Sequence, residues 1–272
     1  MAVFNSWNSP LRSHTFLCSL FFFYFVITLY YFPLHANALS FNLTNIDPTV
    51  KNIVIEGDAY VSNKGIQIIP VNEVWKAGRA TYKDPLHLWD KASGKLTDFH
   101  TYLLFVINSE GNSSFADGFA FSLVPNDFTP MNAFGAAMGL PILSIYPPKQ
   151  TPFVAVEFDT FQNVDWDPLN ITPVTHVGIS INSLKSNVTA IWHNNITHGK
   201  DNEAWISYNS KSKTLRVVFT GYINNKRIES SLSYQVDLRK YLPEWVTVGV
   251  SAATGDCFEK HIVKSWSFDS SL

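Results

Sequence analysis

The chain has 272 residues, of which 46% are hydrophobic, 15% aromatic and only 15% charged, with a formal net charge of −2. That balance describes a β-leaning globular chain and speaks against nucleic acid as a partner, which calls for a basic stripe or patch. Its length fits one sandwich domain behind a leader, not several domains.

The leader comes first in the chain. Residues 15–32 are apolar and uncharged and follow Arg12, and Ala36 and Ala38 set small residues at the two positions a signal peptidase reads. The reading is a signal peptide over residues 1–38, cleaved after Ala38, with a domain at 39–272. The alternative is an uncleaved anchor, since the apolar run is long enough to span a bilayer. No later stretch reads as a transmembrane span. Cleavage removes Cys18 and leaves Cys257, so the domain must rest on its core and on bound metal, without an internal disulfide. A secretory route implies a secreted, extracellular or vacuolar protein. It also gives meaning to five N-glycan acceptor triplets, at Asn42, Asn112, Asn170, Asn187 and Asn195.

Alternating or β-branched runs follow at 39–43, 52–59, 65–69, 78–82, 88–90, 98–107 and 118–124, with a turn at Ser62-Asn63-Lys64-Gly65. Further runs lie at 154–159, 214–222, 232–236, 246–252 and 262–268. Short strands separated by Gly, Asn, Asp and Pro, with almost no helical periodicity, predict an all-β antiparallel sandwich. Asp98 and His100 alternate with Phe99 and Thr101 and read as the solvent face of a strand. Trp75, Trp89, Trp192, Trp205, Trp245 and Trp266 read as core or inter-sheet packing.

The most informative stretch is Val154-Ala155-Val156-Glu157-Phe158-Asp159-Thr160-Phe161-Gln162-Asn163. Its period of two sets Glu157 and Asp159 on one face, roughly 6–7 Å apart along the strand. Two carboxylates on one face must take up a proton or meet a cation. The following loop adds the amide of Asn163, the carboxylate of Asp167 and the imidazole of His176. Hard oxygens suit Ca²⁺, and a carboxylate cluster with one imidazole suits an ion such as Mn²⁺, so the stretch reads as a two-metal site. The plainer alternatives are a polar sheet edge and a hydrogen-bonded surface histidine.

The order Glu-Phe-Asp-Thr-Phe-x-Asn, then Trp166-Asp167-Pro168, then His176-Val177-Gly178-Ile179 and Asn182-Ser183, resembles the metal-binding segment of the legume lectins. The resemblance extends over nearly all of the region after the leader and implies a jelly-roll sandwich with a flat back sheet and a curved front sheet. It implies Mn²⁺ held by Glu157, Asp159, Asp167 and His176, with Ser186 reaching it through a water. It implies Ca²⁺ held by Asp159, Asp167, Asn163 and the main-chain carbonyl of Phe161. One departure is a longer stretch between Asp167 and His176 than relatives carry.

A sugar needs a buried acceptor, a few donors and an aromatic plate. The resemblance gives the acceptor role to Asp117, after a cis Ala116-Asp117 peptide, and a backbone donor role to Gly135. The glycine spacing departs from the family's, and counting back from Gly139 gives that role to Ala136 instead. Asn163 and Phe161 would add an amide donor and a ring. Asp256 and Cys257 stand where relatives turn backbone N–H groups toward the ligand, with the cysteine an unusual choice. The short loop from Gly255 to His261 resembles mannose/glucose binders more than galactose binders. The expected function is a metal-dependent, non-catalytic carbohydrate-binding lectin that meets glycans or glycoproteins and pairs as a homodimer or higher homo-oligomer. Other readings are a glycoside hydrolase on a related sandwich, a two-metal hydrolase and a defence or receptor-like module. The glycosidase needs a second carboxylate, and the next alternate position holds Phe161.

Overall fold

The structure is a computed structural model that describes residue 1 and residues 38–69, 73–129, 133–144 and 149–272. The leader reading falls outside the described residues except for Met1 and Ala38. Among the described residues, two eight-stranded sheets carry the fold, and every pairing within them is antiparallel. One runs in the order Lys226–Gln235, Thr214–Ile223, Asp201–Asn209, Asp98–Asn108, Lys260–Ser271, Gly65–Ile69 and Tyr60–Ser62, with Ser40–Leu43 also paired to Lys260–Ser271. The other runs Val188–Ile191, His176–Ile181, Val154–Asp159, Gly118–Pro125, Trp245–Ala253, Ala77–Tyr82 and Ile53–Gly57, with Leu86–His87 also paired to Trp245–Ala253. Among the described residues, helical content is limited to the 3₁₀ turns Gly135–Ala137, Ile196–His198 and Leu238–Lys240. This is the all-β jelly-roll sandwich expected from the sequence.

The core lies between the sheets, where alternate residues of facing strands meet. Phe105 of the first sheet stacks on Phe119 of the second at 4.9 Å and meets Phe158 edge-on at the same distance. Phe158 also touches Trp192 at 5.4 Å and Phe219 at 6.3 Å. A smaller apolar cluster covers the other face of the second sheet, where Ala120, Val124 and Ala155 meet Ala133, Ala137, Leu140, Ile142 and Phe153. That second layer pins the segment carrying Gly135 over the sheet. It also turns Val154–Asp159 into a strand buried on both faces.

Several boundaries differ from the expected ones. The run at 52–59 ends as a strand at Gly57, whose left-handed φ of 66° turns the chain toward Tyr60–Ser62. At 88–90 the strand is Leu86–His87 instead, and Trp89 makes only an isolated bridge to Leu96. The run at 232–236 is the second half of Lys226–Gln235, a mostly polar strand at the sheet's edge. His100 is exposed on its strand, the solvent face expected for it.

The tryptophans divide. Trp192 and Trp266 are fully buried and Trp89 donates its indole N–H to the Leu242 carbonyl. Trp75, Trp205 and Trp245 are exposed, against expectation. Trp205 alternates with inward-facing Ala204 and Ile206 and so must face out. Trp245 packs flat on His87 near the end of its strand, and Trp75 lies on a loop.

Candidate functional site

The strand Val154–Asp159 sits between Gly118–Pro125 and His176–Ile181 and is therefore no sheet edge. Val154, Val156 and Phe158 enter the main core, while Glu157 and Asp159 face the other way and are nonetheless buried. Register sets His176 opposite Asp159 on one side and Gly118 opposite it on the other. The candidate metal residues and the segment after Asp117 thus meet at one end of the sheet.

Ligand atoms of Asp159, Asp167 and His176 all lie within 4.8 Å of one another. His176 Nε2 is 3.5 Å from Glu157 Oε1 and 4.0 Å from Asp167 Oδ1. His176 is fully buried, and among the described residues neither ring nitrogen has a hydrogen-bond partner. Burial pushes Asp159 well above the usual carboxylate range, and the Asp167 and Glu157 charges push it further. Burial raises Asp167 to about 6 against the lowering effect of the Asn163 N–H bond. Buried carboxylates that raise one another's pKa beside an imidazole without a hydrogen-bond partner among the described residues form a set of donors that a cation would stabilise. The donor set fits a divalent metal ion.

The surrounding residues hold that cluster in shape. Ser186 Oγ donates to Glu157 Oε1 at 2.5 Å and Ser180 Oγ to Glu157 Oε2 at 2.9 Å. Ser186, whose implied role is to reach Mn²⁺ through a water, thus stands beside the cluster on Glu157. Ser180 was not foreseen, although its place two residues after Gly178, on the His176 strand, marks it for the same face. Gly178 leaves the room these groups use. The Phe161 N–H donates to Asp159 Oδ1 at 2.9 Å and the Asn163 N–H to Asp167 Oδ2 at 2.5 Å. Those bonds tie the Phe161 and Asn163 segment to the cluster, and Phe161 is 41% exposed.

Asp117 is the neighbouring acceptor. The Ala116-Asp117 peptide is cis, as the resemblance implied. The Asp117 N–H donates to the Ala253 carbonyl and the Asp117 carbonyl accepts from the Thr160 N–H, which ties it to both the terminal loop and the loop after Val154–Asp159. The side chain is buried, and Oδ2 has no hydrogen-bond partner among the described residues. Burial first, then the Glu259 charge, raises its carboxyl to about 7, partly offset by an N–H from Gly255.

The expected donors need revision. Gly135 lies beside Asp117, with φ at 60°, but its N–H is already given to the Thr254 carbonyl at 3.2 Å. The half-buried Ala136 follows it in the same turn. In the last loop it is Gly255 that reaches the Asp117 carboxylate, a contact sequence reasoning missed. Asp256 is exposed, and half-buried Cys257 sets its thiol 3.0 Å from Ser114 Oγ. Behind the pocket, buried Glu259 accepts from Thr160 at 2.8 Å and lies 3.0 Å from His261, a second unforeseen group. Of the glycan acceptors, Asn42, Asn112, Asn170 and Asn187 are exposed and Asn195 is half-buried.

A model of the legume lectin domain matches residues 38–272. Lectin 9 of Medicago truncatula is 39% identical over 250 residues, covering 88% of each chain. Basic winged bean lectin, solved with Tn-antigen, superposes with a TM-score of 0.75 at 33% identity, over 87% of this chain and 99% of that one. Lectin UEA-II, solved in complex with galactose, gives a TM-score of 0.74 at 33% identity, over 86% and 99%. A match across the whole described domain, on a sheet end that gathers a buried acceptor beside a cation-seeking cluster, makes this chain a member of the legume lectin family of carbohydrate-binding proteins.

Proposed function

We propose that the chain binds glycans of the mannose/glucose type in a pocket formed by Asp117, Ala136, Phe161, Asn163 and the loop of Gly255, Asp256 and Cys257. The observation that carries this reading is Asp117 Oδ2, a buried acceptor atom with no partner among the described residues, at the meeting point of three loops. A sugar hydroxyl donating there would satisfy it. The Ala136 N–H takes the donor role in place of Gly135, whose N–H is committed to Thr254. The exposed Phe161 ring offers a plate to the sugar's C–H face. Asn163 adds its amide.

Mn²⁺ would be held by Glu157, Asp159, Asp167 and His176, with Ser186 behind a water. Ca²⁺ would be held by Asp159, Asp167, Asn163 and the Phe161 carbonyl. The ions would supply positive charge to a cluster that is otherwise anionic and buried. Asp159 and Asp167 would then stay ionised and keep their bonds to the Phe161 and Asn163 N–H groups, which orients the ring and the amide. Metal dependence of sugar binding follows from that coupling. The chain is a binding protein, not an enzyme, as its curated relatives are lectins.

The mannose/glucose preference rests on the short loop between Gly255 and His261. Galactose is the second reading, favoured by the solved complex of Lectin UEA-II. A glycan array with and without Ca²⁺ and Mn²⁺ decides both points. Binding to mannosides or glucosides that disappears on chelation is the expected result, galactosides alone would move the specificity, and undiminished binding in excess chelator would refute the coupling. In the same reading residues 1–38 are a cleaved signal peptide, the product is a secreted or vacuolar glycoprotein, and two copies pair as a homodimer.

A further inference from the structure

Residues 73–77 form a wall beside the pocket. Four hydrogen bonds stitch this segment to the turn at Thr254 and Gly255. Trp75 N–H donates to the Gly255 carbonyl at 3.2 Å and Thr254 N–H to the Lys76 carbonyl at 2.9 Å. Lys76 N–H donates to Thr254 Oγ1 at 3.1 Å, and that hydroxyl donates to the Glu73 carbonyl at 3.1 Å. The Lys76 ammonium lies 3.0 Å from Glu73 and 3.3 Å from Asp58, which anchors the segment from its other side. Gly255 is itself in the pocket: a Cβ on it would stand 3.0 Å from Asp117 Oδ2 and 3.5 Å from Gly135 Cα.

On this fixed segment Trp75 adopts φ of 54°, a left-handed conformation that a bulky residue seldom takes. Trp75 is 55% exposed, and Val74 before it is 42% exposed. An indole left in water forgoes the hydrophobic gain of burial. Backbone outliers of this kind cluster at ligand sites, where the surrounding structure holds them. An exposed tryptophan on a segment whose backbone is hydrogen-bonded to the pocket's own Gly255 is a surface that a pyranose C–H face can stack against.

We infer that Trp75 is the aromatic plate of an extended subsite, which takes the second residue of an oligosaccharide whose first residue occupies the Asp117 pocket. The inference rests on the glycan-binding reading above and adds a determinant of chain length to it. Phe161 serves the first sugar; Trp75 serves the next.

The test compares a monosaccharide with an oligosaccharide bearing the same terminal residue, by calorimetry on wild type, Trp75→Ala and Trp75→Phe in Ca²⁺ and Mn²⁺. The probe pairs are methyl α-mannoside against mannobiose, and galactose against lactose. Trp75→Ala should leave the monosaccharide affinity within about twofold while weakening the disaccharide by roughly 5–30-fold, the range for truncating an aromatic anchor. Trp75→Phe should recover most of that loss. The disaccharide should also shift the tryptophan fluorescence of wild type more than that of Trp75→Ala. Equal loss for both sugars, or no loss for the disaccharide, overturns the subsite while leaving the Asp117 pocket standing. A wild-type protein that binds none of the four sugars overturns both.

Discussion

Gly178 sits where the account is most sensitive to a single methyl group. It pairs with Glu157 across the two strands that carry the metal residues. A Cβ at this position would meet Ser186 Oγ at 2.1 Å and Glu157 Oε1 at 2.4 Å. Both separations are far inside ordinary contact, so one partner must move. Neither can move freely, because Glu157 is buried and its oxygens are held by Ser186 and Ser180. Gly178→Ala therefore overpacks a closed site, at a cost of about 1–3 kcal/mol before any metal is considered. For a domain of this size that is a fall of about 2–12 °C in melting temperature. Metal binding adds a second part. An ion at 100 times its dissociation constant stabilises wild type by about 2.7 kcal/mol, and a displaced Glu157 forfeits a share of that. Thermal melts of both proteins in chelator and in Ca²⁺ with Mn²⁺ read the two parts separately. The variant should melt lower in chelator, and the gap should widen with metal. A gap that stays constant or closes on adding metal would show that Glu157 and Gly178 do not line a metal site.

The metal-free protein should lose stability as pH rises from 5 to 7.5. Asp167 and Asp117 are held at about 6 and about 7, above the unfolded value near 3.9, so the folded chain keeps protons that the unfolded chain has released. That contribution is complete below pH 4 and is lost as pH climbs through 6 and 7; melts in chelator across this range should fall, and a rise would count against the buried carboxylate cluster. Asp117→Asn should weaken glycan binding at least tenfold by calorimetry while melting no lower than wild type in chelator, since it removes a buried carboxylate; normal binding would move the pocket elsewhere. Phe158→Ala removes a ring that contacts Phe105, Trp192 and Phe219, and should cost about 3–5 kcal/mol in urea unfolding, whereas a loss under 1 kcal/mol would mean the two sheets are not joined there.

Much of the sandwich was legible wherever alternation was regular. The runs at 65–69, 98–107 and 118–124 fall on strands Gly65–Ile69, Asp98–Asn108 and Gly118–Pro125, because the residues that enter the core there are apolar except for Thr101. Strands Asp201–Asn209 and Lys226–Gln235 were missed in whole or part, since they carry Asp201, Glu203, Lys226, Arg227 and Glu229, and polar residues on both faces of Lys226–Gln235 mask a period of two. The candidate metal residues were legible because five of them, Glu157, Asp159, Phe161, Asn163 and Asp167, lie on one strand and its adjoining loop. What the sequence hid were contacts across large separations. The Gly255 N–H on the Asp117 carboxylate, the Gly135 N–H on Thr254 and the stitching of Trp75 to Gly255 each join residues more than a hundred positions apart, and no local pattern marks them. Trp75 read as core because its type favours burial, while its loop position decided otherwise.

The claim beneath all of this is that divalent ions occupy the cluster of Glu157, Asp159, Asp167 and His176 and brace the loops around Asp117. Crystals grown in CaCl₂ and MnCl₂ and measured on either side of the manganese absorption edge test it most directly. The account expects one strong anomalous peak among those four side chains, with calcium density between Asp159, Asp167, Asn163 and the Phe161 carbonyl. Well-ordered side chains with no density between them would contradict it.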